Sequence, residues 1–388
     1  MNDTFIPLSV PNLKGNELKY VTEAIQTEWV STAGKFVEQF ERQIAEYVGV
    51  KGAVACQSGT AGLHVALLTL GVTCSDMVLV PALTFIAAVN PVKYIGAEPV
   101  FMDCDSSLCI DPDKLKEFCE NECYFDGDWL YNKETGKKIK AVIVVHVFGN
   151  MADMERIMEI ANHYNLRVIE DATEALGTYY IRGKYEGKFA GTIGDIGVYS
   201  FNGNKIITTG GGGMIVSSDV SFLKEAKHLT TQAKSDELYY THDEVGYNYR
   251  MTNVQAAIGI AQFEQLEDFI QVKERNYLYY QEKIKDIPGL SLLDYRQSCR
   301  TNHWLYGIEC SDFCVGRDEI IQELGKNRIQ TRPVWGLVCD QKPYQGTKRY
   351  KIEKAVFYLK NIVNIPCSTN LTMEQIDIVA NCLRELTL

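Results

Sequence analysis

The chain of 388 residues is 46% apolar and 23% charged and carries a formal net charge of −11. This acidic balance argues against nucleic acid as the main partner, because phosphate backbones are bound by an excess of Lys and Arg. The length allows a large buried core in two domains or in one large domain, and the composition is typical of a soluble globular protein.

Targeting and metal-binding patterns are missing from the sequence. The N-terminus has no basic start, and no stretch approaches the roughly 18 apolar residues of a membrane span. The twelve cysteines are scattered from Cys56 to Cys382 without a CxxC pair or a histidine cluster. We therefore expect a cytoplasmic protein with free thiols, no membrane contact and no metal site.

Short apolar runs alternate with helical patterns over the first part of the chain. The runs are rich in Val and Ile and mostly continuous, which is typical of strands buried on both faces. They cover residues 52–59, 77–85, 99–105, 141–149, 167–172, 196–201 and 212–218. Helical patterns lie between several of them, for example at 60–71 and 151–165. The sequence predicts an α/β fold with a mostly parallel seven-stranded sheet.

The pattern changes near residue 250. Residues 251–284 predict one long amphipathic helix that joins two domains. A strand at 303–310 and helices at 317–327 and 373–387 follow, and they predict a smaller C-terminal α+β domain. We therefore expect a large domain over 1–250 and a linking helix with a smaller domain over 251–388. Residues 121–138 are interpreted as a surface insertion.

Ligands of such sheets gather where strands end and helices begin. Ser58, Gly59 and Thr60 stand at one such junction, where helix amides can hold a phosphate, although many strand-to-helix turns look similar. Phe85 closes the run 77–85 and could stack on a flat ring. A phenylalanine at a strand end is more often a core residue.

Two acidic residues follow the run 167–172. The carboxylate of Asp171 could keep a pyridine nitrogen protonated and so make the ring an electron sink, or it could cap a helix N-terminus. Glu174 could reach a ring hydroxyl from the same turn, or it could complete a capping box.

Lys205 stands among small polar residues between a strand and the glycines 210–213. A flexible amine on rigid backbone suits imine formation, and Ser200 with nearby amides suits a phosphate. A lysine beside glycines is also a common solvated loop residue. In the segment 246–259, polar Asn248 and Asn253 interrupt apolar residues, which indicates either a loop reaching an active site or a capped helix entry.

Seven segments together resemble the DegT/DnrJ/EryC1/StrS sugar aminotransferases, which are pyridoxal phosphate (PLP) enzymes of fold type I. The segments occur in the family's order at 15–41, 58–64, 81–101, 170–177, 200–214, 246–259 and 331–335. The resemblance runs almost end to end. It implies an aminotransferase with PLP as cofactor, Lys205 as the lysine that carries the cofactor, and Asp171 as the partner of the ring nitrogen.

The resemblance also assigns the other cofactor contacts. Phe85 would stack on the ring, Glu174 would lie near its hydroxyl, and Thr60, Ala61 and Ser200 would bind the phosphate. Asn248 would reach the phosphate of the neighbouring subunit, which implies a homodimer with shared active sites. The candidates for substrate contacts are Trp29, Val30, Ser31, Thr32, Asn204, Thr331, Arg332, Pro333 and Val334. An exposed ion pair is the alternative for Arg332.

Two departures from the common family pattern indicate a subgroup: the run 208–213 reads TTGGGG instead of TTGEGG, and Glu174 stands where many relatives have Gln. The subgroup resembles the LegC-like and PglE-like enzymes. It implies that glutamate donates an amine to C4 of a UDP-linked 4-keto-6-deoxy-N-acetylhexosamine. The alternatives are a GDP- or dTDP-linked keto sugar, an amino-acid substrate, and a regulatory protein that binds PLP without catalysis. A dehydratase of the same scaffold would carry histidine in place of Lys205.

Overall fold

The computed structural model, which describes residues 5–236 and 238–387, is built around a ten-stranded sheet. Its seven central strands are β1 Gly52–Cys56, β2 Asp76–Pro81, β3 Glu98–Met102, β4 Lys138–Val145, β5 Arg167–Asp171, β6 Ile196–Ser200 and β7 Gly213–Ser217. They lie in the order β1-β7-β6-β5-β4-β2-β3. Only β7 runs antiparallel to its neighbours within this set. The mostly parallel seven-stranded sheet is therefore confirmed.

The strands are buried on both faces, which explains their continuous apolar runs. All six residues of β2 are buried, as are all five of β7. The apolar run 77–85 predicts a strand that extends too far, because β2 ends at Pro81. Phe85 consequently lies in the turn beyond the strand, and its side chain is 54% exposed instead of being a core residue.

Three further strands extend the sheet. The expected insertion at 121–138 forms a hairpin of Cys123–Phe125 and Leu130–Asn132, and its second strand pairs with the start of β4. Arg349–Tyr350 pairs in parallel with β3, so part of the chain beyond residue 250 belongs to the main sheet. The division between residues 250 and 251 stays a prediction.

Within the described residues, twelve α-helices surround the sheets. They are α1 Glu17–Gln26, α2 Lys35–Val48, α3 Gly59–Thr69, α4 Asn90–Tyr94, α5 Pro112–Glu122, α6 Met154–His163, α7 Val220–Thr230, α8 Asn253–Phe263, α9 Leu266–Ile284, α10 Arg317–Lys326, α11 Lys354–Asn361 and α12 Met373–Glu385. None of the helices in the described ranges combines the length and the apolar character that crossing a membrane requires.

The prediction of a single helix over 251–284 is wrong, because the helical conformation is interrupted between α8 and α9. Gln265 has φ −109° and ψ 0°, outside the helical region. Its side-chain amide donates to Glu17 Oε1 (3.0 Å) and to the Ala261 carbonyl (3.2 Å). The helix is therefore interrupted where this amide binds Glu17 of α1.

The C-terminal region holds a second, antiparallel sheet. Its strands are Ser291–Leu292, Tyr306–Glu309, Ile362–Ile365 and Arg332–Pro333, in that spatial order. Short pairs of strands also join Tyr179–Tyr180 to Cys299–Arg300 and Lys234–Asp236 to Thr241–His242. This α+β arrangement agrees with the fold class expected for the end of the chain. All twelve cysteines are free thiols, and most are buried.

Candidate active site

A cavity of about 320 Å³ opens at the carboxyl edge of the parallel strands. Its wall includes the last residues of three neighbouring strands, Val145, Asp171 and Ser200. Phe85 follows β2, and Gly59 begins α3 at the same edge. The strand ends and helix starts therefore converge on one pocket, as is typical of ligand sites in parallel sheets.

The N-terminus of α3 forms one end of the cavity. Ser58 caps the helix, because its Oγ accepts the amide of Ala61 at 3.1 Å. The amides of Gly59 and Thr60 lie in the first turn, where a helix offers them no acceptor. A Cβ added to Gly59 would lie 3.1 Å from Ser200 Cβ and 2.8 Å from Thr173 Cγ2, so these side chains pack closely against the start of the helix. The positive helix end and the hydroxyls form a cradle that fits a phosphate.

Asp171 lies at the floor of the cavity, at the end of β5. It is 3% exposed, and its Oδ1 accepts the amide of Thr173 at 3.1 Å. The chain continues into turns rather than a helix, so Asp171 is not a helix cap. Burial raises the pKa of its carboxyl, and the charge of Lys205 acts in the opposite direction.

Glu174 and Lys205 form a buried pair in the same cavity. Glu174 Oε1 lies 3.5 Å from Lys205 Nζ, and Oε2 accepts the amide of Phe148 at 2.8 Å. Burial raises the pKa of Glu174 to about 7, although the positive charge of Lys205 lowers it. The side chain of Lys205 is only 12% exposed, which excludes the solvated loop residue. The carboxylate of Glu174 contacts the lysine and a loop amide instead of completing a capping box.

The loop that presents Phe148 is tied to β5. Phe148 has φ 58°, and the preceding His146 donates its amide to the Asp171 carbonyl at 3.1 Å. His146 Nε2 lies 2.9 Å from Glu170 Oε2 inside the protein. Glu170 also accepts the amide of Ile193 at 2.6 Å. These bonds fix the backbone amide that holds Glu174 in place.

Two tryptophans that the sequence reasoning missed complete the cavity wall. Lys205 Nζ lies 3.9 Å from the centroid of the Trp304 ring, and Trp304 Nε1 donates to the Asn204 carbonyl at 2.7 Å. Trp335 packs on Phe148, with ring centroids 5.0 Å apart. Trp304 lies in the run 303–310, and Trp335 ends the segment 331–335. The large aromatic residue in each segment is the sequence signal that could have identified both as site residues. The other lining residues outside the predicted set are Leu63, Thr84, Ala87, Ala88, Val145, Thr173 and Asn202, whereas Ser58 and Gly59 belong to the junction that was expected to hold a phosphate.

The cavity unites most of the predicted cofactor residues and one substrate candidate. Those that line it are Thr60, Phe85, Asp171, Glu174, Ser200, Asn204 and Lys205. Ala61 stands just behind the wall with its amide bound to Ser58. Asn248 is exposed and lies outside the wall of its own chain, as do the exposed residues 29–32.

The segment 331–334 also lies beside the wall rather than in it. Thr331 and Val334 are buried, at 3% and 1% exposure, whereas Pro333 is exposed. Arg332 is exposed and donates to the Thr331 carbonyl at 3.1 Å. Within the described residues Arg332 forms no ion pair, so its guanidinium remains a candidate contact to the substrate.

The residues present fit PLP. The cradle at α3 suits the phosphate, the buried amine of Lys205 suits the aldehyde, and the buried carboxylate of Asp171 suits a protonated ring nitrogen. All three lie in one cavity, as a single small ligand requires. None of the described residues that line the cavity carries an unpaired charge that would repel the part of PLP beside it.

Comparison with known proteins identifies relatives over nearly the whole chain. A GDP-perosamine synthase from Escherichia coli O157:H7 is 37% identical over 383 residues, which cover 98% of each protein. A UDP-4-amino-4,6-dideoxy-N-acetyl-beta-L-altrosamine transaminase from Campylobacter jejuni is 29% identical, covering 97% of this chain and 96% of that protein. The crystal structure of a DegT DnrJ EryC1 StrS aminotransferase from Brucella abortus superimposes with a TM-score of 0.86 at 25% identity, covering 96% of this chain and 95% of that one.

The family model of the DegT/DnrJ/EryC1/StrS aminotransferases matches residues 11–384. This match agrees with the resemblance seen in the seven sequence segments and with the cavity that fits PLP. The chain therefore belongs to the DegT/DnrJ/EryC1/StrS aminotransferase family and is a PLP-dependent nucleotide-sugar transaminase.

Proposed function

We propose that this enzyme transfers the amino group of glutamate to C4 of a nucleotide-linked 4-keto-6-deoxy sugar, with Lys205 as the residue that carries PLP. The convergence of Lys205, Glu174 and Asp171 in one buried cavity beside a phosphate cradle supports the proposal most strongly. Each of these groups has a distinct task in amino transfer.

PLP, when bound, supplies an electron sink for the carbon that loses its proton. Lys205 holds the cofactor and, once released, moves the proton at the α-carbon of the donor as general base and acid. Asp171 keeps the proton on the ring nitrogen, and its burial limits competition from water. Glu174 lies within reach of the same amine and orients it. Phe85, which lines the cavity beyond β2, would cover one face of the ring.

We propose a GDP-linked sugar as the acceptor, which is the alternative to the UDP-linked N-acetylhexosamine expected first. Sequence identity supports this choice. The GDP-perosamine synthase is 37% identical to this chain, whereas the transaminase of the UDP-linked altrosamine is only 29% identical. Asn204 lies at the cavity and is a candidate contact to the sugar. Residues 29–32 and 331–334, with Arg332 exposed, remain candidates for the nucleotide.

We also propose that two copies share their active sites. Asn248 is exposed and lies outside its own cavity, so its predicted contact with the cofactor phosphate has to be made in a partner subunit. The chain just before it exposes four large apolar side chains: Leu238 at 76%, Tyr239 at 77%, Tyr240 at 74% and Val245 at 80%. Such a cluster is typical of a surface that is covered by another protein.

Absorbance of the purified protein tests the catalytic assignment. With PLP, the wild type should develop the near-visible band of a lysine-bound cofactor and lose it when glutamate is added. Lys205→Ala should form no such band, whereas the exposed Lys188→Ala should behave as the wild type. A band that persists in Lys205→Ala would overturn the assignment of the lysine.

A panel of GDP-, UDP- and dTDP-linked 4-keto-6-deoxy sugars then tests the acceptor. The aminated form of the cofactor, prepared with glutamate, should return to the lysine-bound form fastest with the GDP-linked sugar. A faster return with a UDP-linked sugar would restore the first expectation. No return with any of the three would contradict the sugar aminotransferase activity proposed for this chain.

A further inference from the structure

The amine of Lys205 lies between a carboxylate and an aromatic face. Its Nζ is 3.5 Å from Glu174 Oε1 and 3.9 Å from the centroid of the Trp304 ring. Trp304 is 3% exposed, so little water competes for this contact. A cation over an indole face is attracted by the ring quadrupole, and the attraction increases when water is excluded. The ring face therefore attracts a positive charge at the position of Lys205 Nζ.

Hydrogen bonds to its side chain and its backbone fix the position of Trp304. Its Nε1 donates to the Asn204 carbonyl at 2.7 Å, and its amide donates to Asn302 Oδ1 at 3.0 Å. Its carbonyl accepts from Lys273 Nζ at 2.8 Å. Lys273 is 3% exposed, and its amine also donates to the Cys367 carbonyl at 2.6 Å. Because Asn204 directly precedes Lys205, the same indole holds both the backbone and the amine of the lysine.

We propose that Trp304 is a positioning residue for Lys205, whose ring face holds the amine in place once it has accepted the proton from the α-carbon of the donor. In that state the amine has just taken up a proton, and a fixed site for it keeps the proton close to the reacting carbon. This inference rests on the proposed role of Lys205 as the lysine that carries PLP. It assigns a task to a residue that makes no covalent contact with cofactor or substrate.

Other charges around the amine remain constant when Trp304 is changed. Glu174 and Asp171 place carboxyl groups near the amine from the side of β5. Lys273, on α9, opposes it across a small cavity that both lysines line. A change at residue 304 that alters the behaviour of the amine therefore reports on the indole, through its ring face or its bond to Asn204, and Trp304→Phe separates the two because it keeps a ring face without the bond.

The test follows formation of the lysine-bound PLP band by the cofactor-free protein as a function of pH. Only the neutral amine reacts, so the midpoint of the rate profile reports how strongly the site favours the ammonium. Trp304→Leu should lower this midpoint by about 0.5 to 1 pH unit. Trp304→Phe retains a ring face and should stay close to the wild type. Trp335→Leu, which changes the other tryptophan of the cavity, should also leave the midpoint unchanged.

Tryptophan emission gives a second test that does not depend on the leucine variant folding. The difference in emission between the cofactor-free wild type and Trp304→Phe isolates the indole at 304. This difference should change with pH at the same midpoint, and the change should be lost in Lys205→Met. An unchanged midpoint in a folded Trp304→Leu, or an emission change that survives in Lys205→Met, would overturn the inference. Formation of the PLP band by Lys205→Met would instead contradict the proposed function.

Discussion

Glu174 is a buried acid whose carboxyl group has one positive neighbour, the amine of Lys205. A Glu three residues after an Asp fits a capping box, but no helix begins there. The side chain is instead 4% exposed and faces the amine of Lys205. Burial disfavours the ionised form of a carboxyl group, and one positive neighbour compensates for only part of that effect.

The raised pKa of Glu174 predicts a pH dependence of stability in the cofactor-free protein. The pKa rises from 4.5 in the unfolded chain to about 7 in the folded one, so the folded state binds the proton more tightly. Its contribution to stability is fully present below pH 4.5 and is lost as the pH rises through 7. Between pH 6 and pH 8 the wild type should lose about 1 kcal/mol of unfolding free energy relative to Glu174→Gln.

Urea unfolding of the two proteins at both pH values measures this difference. Glu186→Gln is the matched control, because Glu186 is exposed. Parallel pH dependences of Glu174→Gln and the wild type would show that the carboxyl of Glu174 is not perturbed in the folded protein.

At the scale of elements, the start of α3 determines where a phosphate can lie. The helix begins directly after β1, and its first residue is a glycine that approaches Thr173 and Ser200 closely. The close approach brings the amides at the helix start next to the hydroxyl of Ser200, so that both can contact one anion. A strand followed by Ser-Gly-Thr predicts the helix start, whereas the proximity of Ser200 depends on the pairing of β1 and β6 with β7.

Gly59→Ala should therefore weaken PLP binding by about tenfold or more, because a Cβ would lie 2.8 Å from Thr173 Cγ2 and push apart the sides of the cradle. An absorbance titration of the cofactor-free protein with PLP measures the dissociation constant. Gly203→Ala is the control, because Gly203 lies between two lining residues, Asn202 and Asn204, and nothing lies within 4 Å of its added Cβ. Equal dissociation constants for the two variants would contradict a tight cradle at Gly59.

At the scale of the whole molecule, the exposed residues before Asn248 and the position of Asn248 itself support a shared active site. Residues 29–32 are exposed as well, and the backbone there is held by Asn253, whose Nδ2 donates to the Trp29 carbonyl at 2.7 Å. A segment that is fixed in position but lies outside its own cavity can contribute to the cavity of a second copy.

Mixing two inactive variants tests this arrangement. Lys205→Ala removes the lysine of its own site, and Asn248→Ala removes the contact made in the partner's site. A mixed dimer of the two has one site with both residues intact, so random exchange of subunits should restore about a quarter of wild-type activity. Refolding the variants together and assaying amino transfer measures it, with Lys205→Ala refolded alone as the control. Failure of the mixture to exceed the sum of the separate variants would contradict shared sites.

Much of the fold could be predicted because its signals are local. Continuous Val- and Ile-rich runs indicate strands buried on both faces, and all seven central strands agree with those runs. The end of β2 was placed too late, because the apolar residues after Pro81 pack in a turn instead of continuing the strand. The break between α8 and α9 was missed, because apolar residues recur on both sides of it and the tie to Glu17 crosses 248 residues of sequence. The domain division and the cytoplasmic location remain predictions.

The sequence by itself determined the strands, the family, and the residues that end the strands at the cavity, because each depends on a short stretch of neighbouring residues. Lys205, Asp171 and Ser200 could be identified from such stretches. Only the tertiary structure decided that Trp304 lies over Lys205, since the two are held together by a hydrogen bond to Asn204 across 100 residues of chain. It also placed Asn248 outside its own cavity. Contacts of this kind depend on how distant elements pack, and neither periodicity nor spacing along the chain encodes them.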